Sequence, residues 1–140
     1  MSLDLPDTTL VFNDQPERGM FSSVLLGLNA VSGEVDGILV QPVDCPLVNS
    51  RVPEALCHKA EVVADSSALV PTYQGQRGHP VWLAWKVARA LRGGAPTGSL
   101  RESLAAYPVT EVPVDAPEVL ANLNTPEDVL CWRLDGRNER

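Results

Sequence analysis

Cysteine, basic residues and long apolar runs are all in short supply in this chain, and each shortage closes off a class of function. Three cysteines, Cys45, Cys57 and Cys131, have no Cys-x-x-Cys or paired Cys/His spacing, so the sequence predicts neither a disulfide framework nor a zinc site. Reduced, mostly buried thiols are the expectation. Lys and Arg number 11 against 18 Asp and Glu, a net charge of −7 with a pI near 4.7. That balance repels a nucleic-acid backbone and an anionic membrane, so any bound phosphate must be held by local groups or by a metal. No apolar run approaches the roughly 20 residues that span a bilayer. The start, Met1 to Asp7, has neither the basic region nor the apolar stretch of a signal peptide, and the expectation is a cytoplasmic protein that binds no nucleic acid and no membrane. There is no Gly-x-Ser-x-Gly elbow, which removes support for nucleophilic hydrolysis, and no internal repeat or low-complexity tract. What remains is 140 residues, 44% hydrophobic and 21% charged, enough for one domain with one core.

The pattern along the chain alternates between strand and helix. Residues 8–12 are β-branched or apolar and stop at Asn13-Asp14-Gln15-Pro16, which predicts a short strand. Ser22 or Ser23 can cap a helix carrying Val24, Leu25, Leu28 and Val31 on one side, with Gly33 at its end. Residues 38–43 read as a second strand, and Pro53 suits the first turn of a helix bearing Leu56, Ala60 and Val63. A third strand is expected around residues 68–71. Lys86, Arg89 and Arg92 recur every third residue after Trp82 and Trp85 and before Gly93-Gly94, an amphipathic helix with a solvated basic face and packed tryptophans. Ser99-Leu100-Arg101-Glu102 is a capping box opening a helix to about Ala106, and residues 109–114 alternate as a strand. Thr125-Pro126-Glu127-Asp128 opens a last helix, with Thr125 as N-cap and two acids at the positive end of the helix dipole. The tail 135–140 reads as frayed. One α/β domain over residues 1–140 is the economical description.

Two segments can carry chemistry. Gln41-Pro42-Val43-Asp44-Cys45-Pro46-Leu47 follows an apolar strand, and ligands of open α/β sheets gather at the carboxyl ends of strands. Asp44 is therefore a candidate ligand for Mg²⁺, which prefers hard oxygens shared with phosphates; the alternative is an aspartate that merely shapes the next turn. Tyr73-Gln74-Gly75-Gln76-Arg77-Gly78-His79-Pro80 is a glycine-rich loop able to wrap an anion, with Arg77 offering a forked pair of donors and His79 held between Gly78 and Pro80. The alternative there is a surface turn with a solvated arginine. His58 is expected to be structural or exposed.

Taken in order, Asn13…Gly19-Met20-Phe21-Ser22-Ser23, Pro42-Val43-Asp44-Cys45-Pro46-Leu47-Val48, Gly78-His79-Pro80-Val81 and Asn122-Leu123-Asn124-Thr125-Pro126-Glu127-Asp128 resemble the molybdenum-cofactor nucleotidyltransferases, the MobA-like NTP transferases. The Gly-His-Pro block looks more like the cytidylyltransferase branch than the guanylyltransferase branch. The resemblance implies a three-layer, Rossmann-like (GT-A-like) α/β sheet. It also implies a bacterial source and an Mg²⁺-dependent transfer of a nucleoside monophosphate from CTP or GTP to the phosphate of molybdopterin, with release of pyrophosphate. By position it implies Asp44 as the catalytic magnesium ligand, with Asn124 as a second ligand from the segment facing it. Asn13, Ser22, Ser23, Arg77, Gly78, His79 and Asn122 would contact the substrates. Asparagine in that facing segment, where aspartate is frequent, supplies a neutral carbonyl oxygen.

One family feature has no counterpart in this sequence. Members open with a strand and a glycine-rich loop of the type Leu-Ala-Ala-Gly…Arg-x-Gly…Lys, which cradles the triphosphate, so the fold is expected to be truncated at the N-terminus, a partial domain. Without that βα unit the 38–43 strand would show an unpaired edge. The sequence then predicts one of three things: that residues 8–12 pair with that edge, that two chains associate through it as a homodimer, or that the polypeptide is a fragment beginning at an expression scar, Met1-Ser2-Leu3. A degenerate relative that binds or assembles without catalysis is the competing function, and a sugar-phosphate nucleotidyltransferase is a third.

Overall fold

A computed structural model describes residues 7–95 and 97–134, leaving the tail 135–140 and the first residues outside the description. The order is helix α1 (Met20–Ala30), strand β1 (Gly37–Val40), α2 (Arg51–Ala60), β2 (Ala68–Tyr73), β3 (Gln76–Arg77), β4 (Val81–Ala84), α3 (Trp85–Leu91), α4 (Leu100–Ser103), β5 (Val109–Pro113) and α5 (Pro126–Leu134), with single 3₁₀ turns at Pro16–Arg18, Leu104–Ala106 and Pro117–Leu120. Strand and helix alternate as the sequence pattern predicts up to β2, after which β2, β3 and β4 follow one another with no helix between them. The five strands form one mixed sheet in which β4 lies between β1 and the first half of β2, antiparallel to both, while β3 pairs with the second half of β2 and β5 runs parallel along it.

β4 is buried along its whole length and β2 along nearly all of it, the signature of central strands covered on both faces. Helix α2 packs over β2, β4 and β5, α3 over β1 and β4, and α1 against α3. The main core gathers Leu25 and Leu28 of α1, Leu56 of α2, Leu69 of β2, Leu83 of β4 and Val87 of α3. A second, smaller cluster of Val52, Ala116 and Val119 lies under the candidate site. Among the described residues no helix is long and apolar enough to cross a membrane.

Several local expectations are corrected. Residues 8–12 form no strand. Leu10 and Phe12 are 82% and 88% exposed, because a strand needs a neighbouring edge and this segment does not pair with β1. The second strand ends at Val40 rather than at residue 43, since Pro42 has no N–H to give a ladder. Gly19, not Ser22 or Ser23, is the N-cap of α1; the Ser22 hydroxyl bonds back to the Gly19 carbonyl at 2.7 Å, and the helix stops at Ala30 before reaching Gly33.

The largest departure is the stretch read as a ligand-wrapping loop. Gln74 and Gly75 both have positive φ, +50° and +79°, the backbone of a type I′ turn whose twist matches a β-hairpin. β2 and β3 are its arms, and the return arm continues as β4, an element the sequence pattern hides under the tryptophans. Between the two paired halves the return arm spends four residues, Gly78 to Val81, where β2 spends two, Val70 and Pro71. The surplus makes a bulge of Gly78-His79-Pro80, with a cis bond between His79 and Pro80. Pro71, which lacks an N–H, sits opposite it and accepts a hydrogen bond from Gly78 N–H at 2.8 Å.

The helix expected to carry three solvated basic residues also differs. Lys86 and Arg89 are exposed, but Arg92 donates from Nη2 to the Val31 carbonyl at 2.7 Å and stacks 4.5 Å above the Trp85 ring. It therefore joins the end of α3 to the end of α1. The cysteines divide as well: Cys45 is buried, whereas Cys57 and Cys131 are exposed. His58 is exposed beside Glu61, the Ser99–Glu102 capping box forms, and Thr125 caps α5 as expected while its N–H is taken by Asp128.

Candidate active site

Beyond β1 the chain turns tightly. Cys45 N–H donates to the Pro42 carbonyl at 3.2 Å and the Gln41 side-chain amide donates to the Cys45 carbonyl at 2.6 Å, so a five-residue turn is closed by main chain and side chain together. This turn leaves Val43 95% exposed, presents Asp44 half-buried, and drives Cys45 into the interior at 1% exposure. Asp44 thus stands at the carboxyl-terminal end of β1, where the sequence puts it.

The segment after the Pro117–Leu120 turn meets this aspartate. Leu123 N–H donates to the Asp44 carbonyl at 2.7 Å, and the Cys45 thiol donates to Asn122 Oδ1 at 3.0 Å across 77 positions of sequence, with Asp44 Oδ1 3.7 Å from the same sulfur. Burial, helped by the negative charge of Asp44 and its hydrogen bond, pushes the thiol up to about 11, so it stays protonated and remains a donor at neutral pH. Asn124 lies one residue beyond the clamp. Its N–H is taken by Asp128 Oδ2 at 2.9 Å and its side chain is exposed.

The bulge supplies the third wall. His79 N–H donates to the Val119 carbonyl at 2.9 Å. At position 78 a Cβ would stand 2.2 Å from that same carbonyl oxygen, so glycine is what lets the bulge settle against the 117–120 turn. Val119 is fully buried, and Asn49, ahead of α2, donates to Glu118 at 2.7 Å. Burial lowers the affinity of the His79 ring for a proton, while nearby Asp44 pulls the other way. The outcome is a half-buried ring held neutral, with Nδ1 buried and unpartnered.

Asp44, His79 and Asn122 are therefore brought together, whereas the bond found at Asn124 runs to Asp128. Arg77 is not brought to them by any contact: its Nε donates to Glu111 Oε1 at 2.7 Å, an ion pair between β3 and β5 on the partly exposed sheet surface. Asn13, Ser22 and Ser23 meet each other instead. Asn13 Nδ2 donates to both hydroxyls at 2.9 Å, and its Oδ1 accepts from Gln15 N–H. Asn13 and Ser22 border a groove of about 250 Å³ between α1 and the residues after α3, where Arg18 and Arg92 also reach. A larger open hollow of about 720 Å³, with Asp36, Asp65, Trp85, Lys86 and Arg89 around it, adjoins the opposite end of β1 from Asp44 and mixes both signs of charge.

Sequence reasoning missed Cys45, Gln41 and Val119 as parts of the site. For Cys45 a signal existed, an apolar thiol beside the candidate ligand in a turn, but its partner cannot be read locally.

Solved structures share this fold, among them the following two. Rv0371c from Mycobacterium tuberculosis H37Rv aligns with a TM-score of 0.65 and 24% identity over 94% of this chain and 66% of its own. Molybdopterin-guanine dinucleotide biosynthesis protein A from Archaeoglobus fulgidus aligns with a TM-score of 0.60 and 19% identity over 85% of this chain and 64% of its own. The chain spans just under two thirds of either neighbour. No curated protein sequence matches. The family profile of the MobA-like NTP transferase domain matches residues 2–123, nearly the whole chain including Asp44, the bulge and Asn122, and the chain belongs to that family.

Proposed function

We propose that this domain serves an Mg²⁺-dependent nucleotidyltransferase that joins a nucleoside monophosphate, from CTP or GTP, to the phosphate of a molybdopterin-like acceptor. The observation that carries the reading is the meeting of two family blocks: the Asp44 turn is bonded to Asn122 and Leu123. The neighbour from Archaeoglobus fulgidus, named for molybdopterin-guanine dinucleotide biosynthesis, supports the choice of acceptor class.

The donor set suits magnesium of one kind only. Among the described residues no three His, Cys, Asp or Glu side chains form an all-protein cage, but Mg²⁺ commonly takes one or two carboxylates and completes its shell with water and substrate phosphates. Asp44 fits that sharing arrangement, and the exposed Asn124 in the segment bonded to its turn would be the second oxygen donor. When bound, the ion would offset negative charge on the phosphates. The chain's own groups position and neutralise, which is most of what phosphoryl transfer requires: an oxygen of the acceptor phosphate attacks the α-phosphorus and pyrophosphate leaves. His79, neutral and with Nδ1 buried, has Nε2 as the nitrogen able to meet a phosphate oxygen. With a net charge of −7, the domain has little long-range attraction for a triphosphate, so binding should depend on the metal.

A thermal-shift titration with CTP, GTP and ATP, each with and without Mg²⁺, tests this, because a ligand specific for the folded chain raises its apparent stability. A magnesium-dependent rise for CTP or GTP, abolished in Asp44→Ala, is the expected result. Protection that survives Asp44→Ala unaltered would remove the metal role of Asp44. The second reading, a relative that binds without turnover, draws on Arg77 being occupied by Glu111. It expects acceptor binding with no pyrophosphate release.

A further inference from the structure

We propose that Cys45 is a positioning residue: its buried thiol holds the Asn122 side chain with Oδ1 turned inward, so that Asn122 offers its NH₂ group, a donor, to a phosphate oxygen beside Asp44. This deepens the function proposed above and rests on it. The geometry is specific. Cys45 is 1% exposed, its Sγ lies 3.0 Å from Asn122 Oδ1, and its main chain is fixed at both ends, N–H to Pro42 and carbonyl to the Gln41 side chain. The thiol's one proton has two acceptors in reach, Asn122 Oδ1 at 3.0 Å and Asp44 Oδ1 at 3.7 Å, and the shorter contact is the one to Asn122. Asn122 is in turn held by its neighbour, since Leu123 N–H is bonded to the Asp44 carbonyl.

An asparagine amide has one acceptor end and one donor end. With the acceptor end taken by the thiol, the exposed Asn122 presents the donor end outward. That assigns the two asparagines of this segment different work: Asn122 is suited to anionic oxygen, and Asn124, with no such clamp on its side chain, is the one free to give a carbonyl oxygen to a cation. A cysteine suits the clamping position better than a bulkier polar residue because the pocket is closed and the thiol packs as a small hydrophobe while still donating.

The test compares wild type with Cys45→Ser, Cys45→Ala, Asn122→Asp and the Cys45→Ala/Asn122→Asp pair. Binding of Mg²⁺–CTP and Mg²⁺–GTP is measured by calorimetry, and the side-chain amide signals of Asn122 by ¹H–¹⁵N NMR on the free protein. Cys45→Ala and Asn122→Asp should each weaken the nucleotide that wild type binds by about tenfold, the scale of one hydrogen bond to a charged group. Cys45→Ser, which keeps a donor, should recover most of the loss. The pair should be no weaker than Asn122→Asp alone, because both act through one amide. In the free protein the Asn122 NH₂ signals should move in Cys45→Ala and return in Cys45→Ser. Unmoved signals, unchanged affinity in Cys45→Ala, or additive losses in the pair would overturn the proposal. If wild type binds neither nucleotide, the proposed function fails, whereas the NMR comparison still decides whether the thiol sets the amide.

Discussion

Trp82 leaves no room for a side chain at position 37. The two residues are on adjacent strands and share a face, with Trp82 opposite Leu39 two positions along, and a Cβ on Gly37 would stand 2.4 Å from the indole. Gly37→Ala should therefore destabilise the domain by about 1–3 kcal/mol, the usual cost of overpacking. The check is a lower urea midpoint at unchanged slope, and an unchanged midpoint would mean that the indole has somewhere else to go. His79 carries a pH dependence of definite sign. Its proton affinity is lowered on folding, mainly by burial, so below about pH 6.5 the unfolded chain binds more protons than the folded one and stability falls as pH falls. His79→Gln removes that term. Unfolding curves at pH 8 and pH 5.5 should draw apart for wild type more than for the variant; equal separations would show that the ring is free to ionise in place.

Elements differ in how legible they were, and the reason is whether their determinants are local. The last helix was readable because its start is written in four consecutive residues. Asp128 Oδ2 accepts from the Asn124 and Thr125 N–H groups while Thr125 Oγ1 accepts from Asp128 N–H. Those bonds favour the ionised carboxylate and lower its proton affinity, so the contribution is present at neutral pH and is lost as pH falls through the folded-state value. Asp128→Asn should lower the melting temperature at pH 7, and the difference from wild type should vanish in acid. A difference that persists at pH 2 would point to a role other than capping. The β2–β3–β4 hairpin was not readable, since Gln-Gly is a weaker turn signal than Asn-Gly, and the all-buried run of β4 has no alternation to mark it. The site divides along the same line. Asp44 follows a visible strand, but the bond from Cys45 to Asn122 depends on a meeting across the sheet that no window of sequence contains. Gly78→Ala tests the bulge as a unit: its Cβ would meet the Val119 main chain, so the 117–120 turn must shift. Both the melting temperature and any nucleotide protection should drop together. Loss of stability with full nucleotide protection would separate the bulge from the site.

At the scale of the whole molecule, the feature with consequences is the outer edge of β1. β4 pairs along one side of it, and among the described residues no strand lies along the other. Its sequence, Gly-Ile-Leu-Val, has none of the charge or proline that proteins use to blunt an open edge, and Leu39 is 39% exposed. A homodimer, the association anticipated from the sequence, would cover this edge by pairing β1 antiparallel with its copy about a two-fold axis. Residues 8–12, with Leu10 and Phe12 outside the core, are apolar surface such an association could also use. Light scattering after size exclusion should then find a mass that rises with concentration from one chain toward two, and Leu39→Lys, which puts a charge on the edge, should return it to one. A wild type that stays single at every concentration would leave the edge to be covered by a different polypeptide segment.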